Sequence, residues 1–291
     1  MNKAKVPLGA GLILLSSLFY ASYGIWTKLM GDFFGGYTAS ALRSVVVLIL
    51  LIPITWKLKR FEPLNLKKNW RYILGMIGAS LFIWGPLYYA VLNAGVGLAL
   101  TVAYASIVIG MLFFGWLLAH ERFTLAKTAS VMLGIIGLAL IFSPSTSHVA
   151  WLALGAAMLS GLATALNTVI SKNIQYNATQ TTVVLWVTSV IANTLMLFVF
   201  REQYPVIGAH VEWIYLILFA GASLVASWSL TKGVKLIDAG VAGILGLFEI
   251  VFALVFGAVL FQENPSFLAI LGAGIIIVAA AVPYLKSKHT K

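Results

Sequence analysis

Ten stretches of this chain, near residues 8–31, 38–56, 71–92, 97–118, 127–143, 150–170, 182–200, 212–231, 240–261 and 267–285, are apolar almost without interruption. Each approaches the roughly 20 helical residues that a bilayer core about 30 Å thick requires. Strands of a membrane barrel would alternate apolar and polar side chains over about ten residues, and these runs do not alternate. The sequence therefore predicts an all-α polytopic membrane protein of ten transmembrane helices with no separate soluble domain. Charge agrees, since 9% of the residues are charged against about 25% in soluble domains. The first run, from Leu8, is too long for a signal-peptide core and reads as a retained helix. With no cysteine in the chain, disulfides and thiolate metal sites are excluded.

The formal charge of +11 would suit nucleic acid, but its placement is a topology signal. With the amino terminus inside, every basic residue except Lys28, Arg43 and Arg201 falls in a segment on the inner side. Basic residues in short loops set orientation, so both termini are expected in the cytoplasm and the chain in the inner membrane. The same charge suits anionic lipid headgroups, and nucleic acid is not needed to explain it.

One phrase occurs twice. WLLAHERFT, residues 116–124, and AVLFQENPS, residues 258–266, each lead from an apolar run through two variable positions to a Glu and a turn. The two glutamates, Glu121 and Glu263, close the fourth and ninth helices. The first helix, LLSSLFYASYGIWTKLMG, is similar to the sixth, LGAAMLSGLATALNTVISK, and each carries a Lys at or near its end. SPSTSH, residues 143–148, is a loop-forming break between the sets. Two repeats follow, 1–143 and 149–291, of five helices each. An odd number of crossings inverts the second repeat, so Glu121 is expected inside and Glu263 outside, with a substrate site near the midplane.

In this arrangement the chain resembles the drug/metabolite transporter superfamily, EamA type. The resemblance rests on ALRSVVVLILL, FEIVFALVFGAVLFQEN and GMLFFGWLLAHERFT, in that order and spacing, and covers essentially the whole chain. It implies a secondary transporter, no enzyme, working by alternating access without a cofactor, most commonly an exporter of amino acids or similar amphipathic metabolites. The family places a Pro thirteen residues before each terminal Glu, where this chain has Val108 and Ile250. The fourth and ninth helices are therefore expected to be less kinked.

Ionisable groups inside a membrane are costly and mark function or pairing. Glu249, halfway along the ninth helix, has no basic neighbour in sequence; it can take up a proton, attract a cationic group, or simply hold helices together. Arg43 can meet a substrate carboxylate with its two-pronged fork, or cap carbonyls, or pair with Asp32. These two are the candidates for proton or charge coupling. Lys28 reads as a stem reaching the outer interface. Tyr20, Tyr23, Trp84, Tyr88, Tyr104 and Trp228 form a possible aromatic lining suited to an amphipathic or cationic ligand. The alternative is packing, and Trp56, Trp70 and Trp151 near run ends read as an interfacial belt. Asn167, with Ser160, Thr164 and Ser227, either hydrogen-bonds substrate or packs at close crossings. Gly85 and Pro86 interrupt the third helix and are the candidate hinge.

No phosphate-binding glycine loop is present, the histidines have no metal-ligand spacing, and no Ser/His/acid set falls in one pocket. No glutamate lies in the first helix, as it does in the four-helix multidrug relatives. The leading reading is export of a small amphipathic metabolite. The alternative is uptake or exchange of an organic cation such as a choline-like quaternary amine, caged by the aromatics against Glu249. A non-transporting membrane subunit or membrane enzyme is the lesser one. The partners implied are a small-molecule substrate and lipid, and either a monomer or a homodimer fits.

Overall fold

Hydrocarbon offers no partner to an exposed amide, so each crossing segment must satisfy its backbone internally, and the chain does so with helices. A computed structural model describes residues 5–31, 33–63, 65–142, 151–202 and 208–285, and contains no strand among them. The first span consists of α1 (Val6–Ala21) and α2 (Tyr23–Met30), and the second is α3 (Gly36–Lys57). The third is again broken, into α4 (Leu66–Leu81) and α5 (Trp84–Ala94), and α6 (Val96–Ala119) and α7 (Leu125–Ile141) complete the first half. The second half comprises α8 (Trp151–Asn173), α9 (Ala178–Phe200), α10 (Val211–Val234), the broken span α11 (Ala239–Gly246) with α12 (Phe248–Phe261), and α13 (Phe267–Leu285). Eight spans are long and apolar enough to cross a membrane, and the shorter apolar helices α7 and α13 stand at the other two expected runs. Asp32 and the break at 143–148 lie outside the described residues.

Helix starts follow local chemistry. Side-chain oxygens of Asn65, Thr124, Asn177 and Ser266 accept amide hydrogens three residues on, which satisfies donors a helix leaves open at its first turn. The main packing pairs join one half to the other: α6 lies along α8, α7 along α13, α1 along α10 and α3 along α9. Small residues allow this closeness. Ala90, Ala99, Ala103 and Ala157 form one buried cluster between α5, α6 and α8, as expected where packing rather than hydrophobic expulsion joins helices in lipid.

The repeated phrase folds the same way twice. His120 and Gln262 both take the left-handed conformation, at φ 54°. The amides of His120 and Glu121 return to the Gly115 carbonyl, and those of Gln262 and Glu263 return to the Gly257 carbonyl. A side chain at Gly115 would stand 2.9 Å from the Glu121 carboxylate, and one at Gly257 would meet the Glu263 carboxylate at 2.5 Å, so glycine at both lets the acid fold back over the turn. Each carboxylate then takes the Lys in the last turn of the first span of the opposite half. Lys172 of α8 binds Glu121 at 2.5 Å, and Lys28 of α2 binds Glu263.

A second pair of acids behaves alike. Glu202, after α9, accepts the amides of Tyr37 and Thr38 at 2.9 and 2.8 Å, at the start of α3. Glu62, after α3, accepts the Asn177 amide at 3.3 Å, at the start of α9. The joints occupy opposite ends of the bundle. α1 begins against Ile237 beside Glu121, and α2 ends at Lys28 on Glu263. They differ in depth: the Glu121 and Lys172 side chains are 9% and 18% exposed, whereas those of Glu263 and Lys28 are 55% and 53%. Glu121 also accepts the Ala239 amide on both oxygens, at 2.8 Å. Lys127, although near Glu121 in sequence, pairs with Asp238 at 2.7 Å instead.

Candidate functional site

Three of the described spans are interrupted midway, and the interruptions face one another's helices. At Ser22 the hydroxyl donates to the Phe19 carbonyl at 2.6 Å and accepts from the Trp26 indole at 3.0 Å. The third span breaks at Phe82–Ile83, one turn before Pro86, which lacks the amide that would bond back into that turn. Ser160 of α8 donates to the Ile83 carbonyl at 2.6 Å. The ninth span breaks at Leu247, where short bonds from the Leu247 amide to Ile244 and from the Ile250 amide to Leu247 tighten the chain. Ser17 of α1 reaches the freed carbonyls of Leu245 and Gly246 at 3.4 and 3.5 Å. The expectation of a less kinked ninth helix is corrected: Gly240, Gly243 and Gly246 weaken the helix without a proline. The fourth helix, α6, is continuous.

These breaks place the candidate side chains. Tyr20 and Tyr23 flank Ser22, Trp84 opens α5, and Glu249 lies in the first turn of α12, where a helix N-terminus favours negative charge. Tyr23 stacks on Trp84 with ring centroids 5.5 Å apart and meets Phe219 edge-on at 4.9 Å. The Arg43 guanidinium sits among these rings, 4.4 Å from the centroid of Phe219, 5.4 Å from Trp84, 5.5 Å from Tyr23 and 5.7 Å from Trp186. Trp186 is oriented by its indole N–H, which donates to Ser227 at 2.9 Å. Arg43 is 5% exposed, and its Nε has no hydrogen-bond partner among the described residues.

A cavity of about 90 Å³ begins at Arg43, Tyr23 and Phe219, passes Thr27 and Ser40, and reaches Phe34 toward the Glu263 end of the bundle. By the measure of roughly 10–15 Å³ per water, it holds several waters or one small molecule. On the other side of Tyr23, the Tyr104 hydroxyl donates to Glu249 Oε1 at 2.9 Å. Tyr20 lies within electrostatic reach of both Glu249 and Arg43. A buried cation and a half-buried acid thus share one aromatic enclosure, with Tyr20 and Tyr23 within electrostatic reach of both.

The other sequence candidates are placed elsewhere. Tyr88 is 63% exposed and stands apart from the enclosure. Asn167 donates to Ser80 at 3.1 Å, joining α8 to α4. Trp228 donates to Thr179 at 3.2 Å with Lys232 over its ring. Gly85 lies against the Tyr37 hydroxyl, so the glycine before Pro86 serves a close approach. Trp186 and Phe219 are residues of the enclosure that the sequence did not reveal. Each is one of several aromatics in its own helix, and only the packing of α3 against α9 and α10 singles them out by bringing them to Arg43.

The comparisons with known proteins agree with this architecture. The profile of the EamA-like transporter family matches residues 7–143 and again residues 151–285. Solute carrier family 35 member G1 of Mus musculus is 24% identical, over 96% of this chain and 78% of its own length. An uncharacterized transporter of Helicobacter pylori strain ATCC 700392 / 26695 is 23% identical, over 98% of both chains. A solved crystal structure superposes with a TM-score of 0.81 at 18% identity, covering 97% of this chain and 98% of the other.

Proposed function

This chain belongs to the EamA-like transporter family of the drug/metabolite transporter superfamily, and from that premise we propose that it moves a small amphipathic metabolite, an amino acid or a similar compound, by alternating access. The carrying observation is the enclosure at the three helix breaks, where Arg43 and Glu249 lie within reach of the same tyrosine. Broken helices at the level of opposed charges are how transporters expose backbone and polar groups to a ligand without exposing them to lipid. Tyr20, Tyr23, Trp84 and Tyr104 give an apolar wall for the ligand's hydrocarbon part, and Glu249 receives a donor or a positive group. Glu249 and Arg43 are also the groups through which charge or a proton would couple to movement. Tyr88, Asn167 and Trp228 take no part in the enclosure as built.

Residues 1–143 and 149–291 act as two inverted five-helix repeats. The opposite placement of the Glu121 and Glu263 joints supports the inversion. Loop lysines and arginines support a cytoplasmic Glu121 end, both termini inside and an inner-membrane location. Gly85 and Pro86 bend the third span, and α7 with α13 forms the scaffold. Export is the direction the family resemblance implies. A choline-like cation fits less well, because the aromatic faces that would cage it already hold Arg43. The test is a thermal-shift panel of amino acids, polyamines, quaternary amines and nucleotide sugars, followed by flux in proteoliposomes for each hit. Saturable flux of an amphipathic amino acid or similar metabolite is expected. Hits confined to quaternary amines, or no flux of any hit, would reject the reading.

A further inference from the structure

We infer that Arg43 is an anion receptor: the ligand carries a carboxylate, which docks on the edge of the guanidinium inside its aromatic enclosure. The inference rests on the transport reading and deepens it by naming a group the ligand must have. A guanidinium presents its N–H donors in its own plane. Rings at 4.4 to 5.7 Å interact with the cation, but aromatic faces cannot satisfy those donors as oxygens do. The Tyr23 hydroxyl is near enough to accept from Arg43, and one neutral acceptor leaves most of the fork open. Nε in particular has no partner among the described residues.

A cation held so deep with no acid paired to it among the described residues is costly unless something answers its charge. The described ion pairs do not, since they join Lys28 to Glu263, Lys127 to Asp238 and Lys172 to Glu121. The acid of the enclosure, Glu249, is half-buried and engaged by Tyr104. The cavity that begins at Arg43 supplies the route for an external carboxylate, and its hydroxyls, Thr27 and Ser40, suit an acid's outer oxygen. Because the rings already fix the guanidinium, little ordering remains when a planar carboxylate docks on two prongs. A ligand with a carboxylate on Arg43 and a donor or positive group toward Glu249 would span the tyrosines between them.

The test uses the purified full-length chain and three matched series built on alanine, leucine and phenylalanine. Each contains the amino acid, its amide, the decarboxylated amine and the deaminated acid, read by thermal shift. In at least one series the amino acid and the deaminated acid should stabilise the protein, while the amide and the amine bind about tenfold or more weakly. Arg43→Gln should remove the response to the acids, and Arg43→Lys should keep part of it. Amides that match their acids, acids that bind a folded Arg43→Gln equally well, or silence of every acid would each overturn the inference. The acid–amide comparison on the unmodified protein stands even where Arg43→Gln does not fold. Proteoliposome flux of an amide or amine independent of Arg43 would sink the carboxylate receptor and leave transport intact. Acid binding without flux of any compound would do the reverse.

Discussion

Replacing Glu121 with Gln, and separately Glu263 with Gln, perturbs the same joint in two settings. At Glu121 the carboxylate holds two contacts from the Ala239 amide at 2.8 Å and the Lys172 ammonium at 2.5 Å, in a pair 9% and 18% exposed. A glutamine keeps one acceptor for the amide but strands Lys172, whose other partner is the Ile237 carbonyl. Breaking a buried pair from one side costs about 3–5 kcal/mol, and the surviving acceptor puts this case near the lower end. At Glu263 both partners are more than half exposed, and such a pair contributes about 0–1 kcal/mol. Thermal unfolding of the purified variants in detergent reads the difference. Glu121→Gln should lower Tm by on the order of 5–10 °C with little dependence on salt. Glu263→Gln should lower it by about 2 °C or less, and 0.5 M salt should erase that loss by screening. Equal losses, or a larger loss at Glu263, would refute the claim that depth decides what each joint contributes.

Tyr104→Phe leaves Glu249 without its hydroxyl donor; flux should fall about tenfold or more, as for loss of a charged hydrogen bond, with Tm changed little. Gly272→Val drives a side chain against the Gly137 backbone and to 2.8 Å from Ile141. It should cost about 1–3 kcal/mol by overpacking, lowering Tm in detergent while leaving substrate affinity unchanged. Burial holds the Lys235 ammonium down to about 8 from its ordinary 10.5, opposed in part by Glu62. Between those two values the unfolded chain binds more protons than the folded one, so stability rises with pH there. The unfolding difference between the wild type and Lys235→Met should therefore climb in favour of the wild type from about pH 8 to 10, and a flat difference would contradict it.

The spans were legible because hydrocarbon demands one long apolar helix per crossing, and that demand is local. The Glu121 and Glu263 joints were legible as positions, since the same turn needs the same glycine, left-handed residue and acid each time. Their partners were not, because Lys172 and Lys28 lie 51 and 235 residues away, although both had stood out near the ends of matching helices. Pro86 announced the break in the third span. Ser22 and Leu247 gave no such sign, as Ser22's own hydroxyl engages the first break and glycines with the Ser17 hydroxyl of α1 accompany the second, in place of a proline. Glu249 and Arg43 were visible as costly charges, whereas their environments depended on tertiary packing. The Tyr104 hydroxyl and the rings of Trp186 and Phe219 reach them from α6, α9 and α10.

Substrate counterflow in proteoliposomes is the most direct test that the enclosure at the helix breaks is the path of transport. It requires the wild type, Glu249→Gln and, as an outside control, Tyr88→Phe, all reconstituted at matched density with a hit from the thermal-shift panel. The account predicts saturable counterflow in the wild type and in Tyr88→Phe, and its loss or an at least tenfold reduction (about 1.4 kcal/mol) in Glu249→Gln. Counterflow in Glu249→Gln at the wild-type rate and with the same substrate dependence would contradict it.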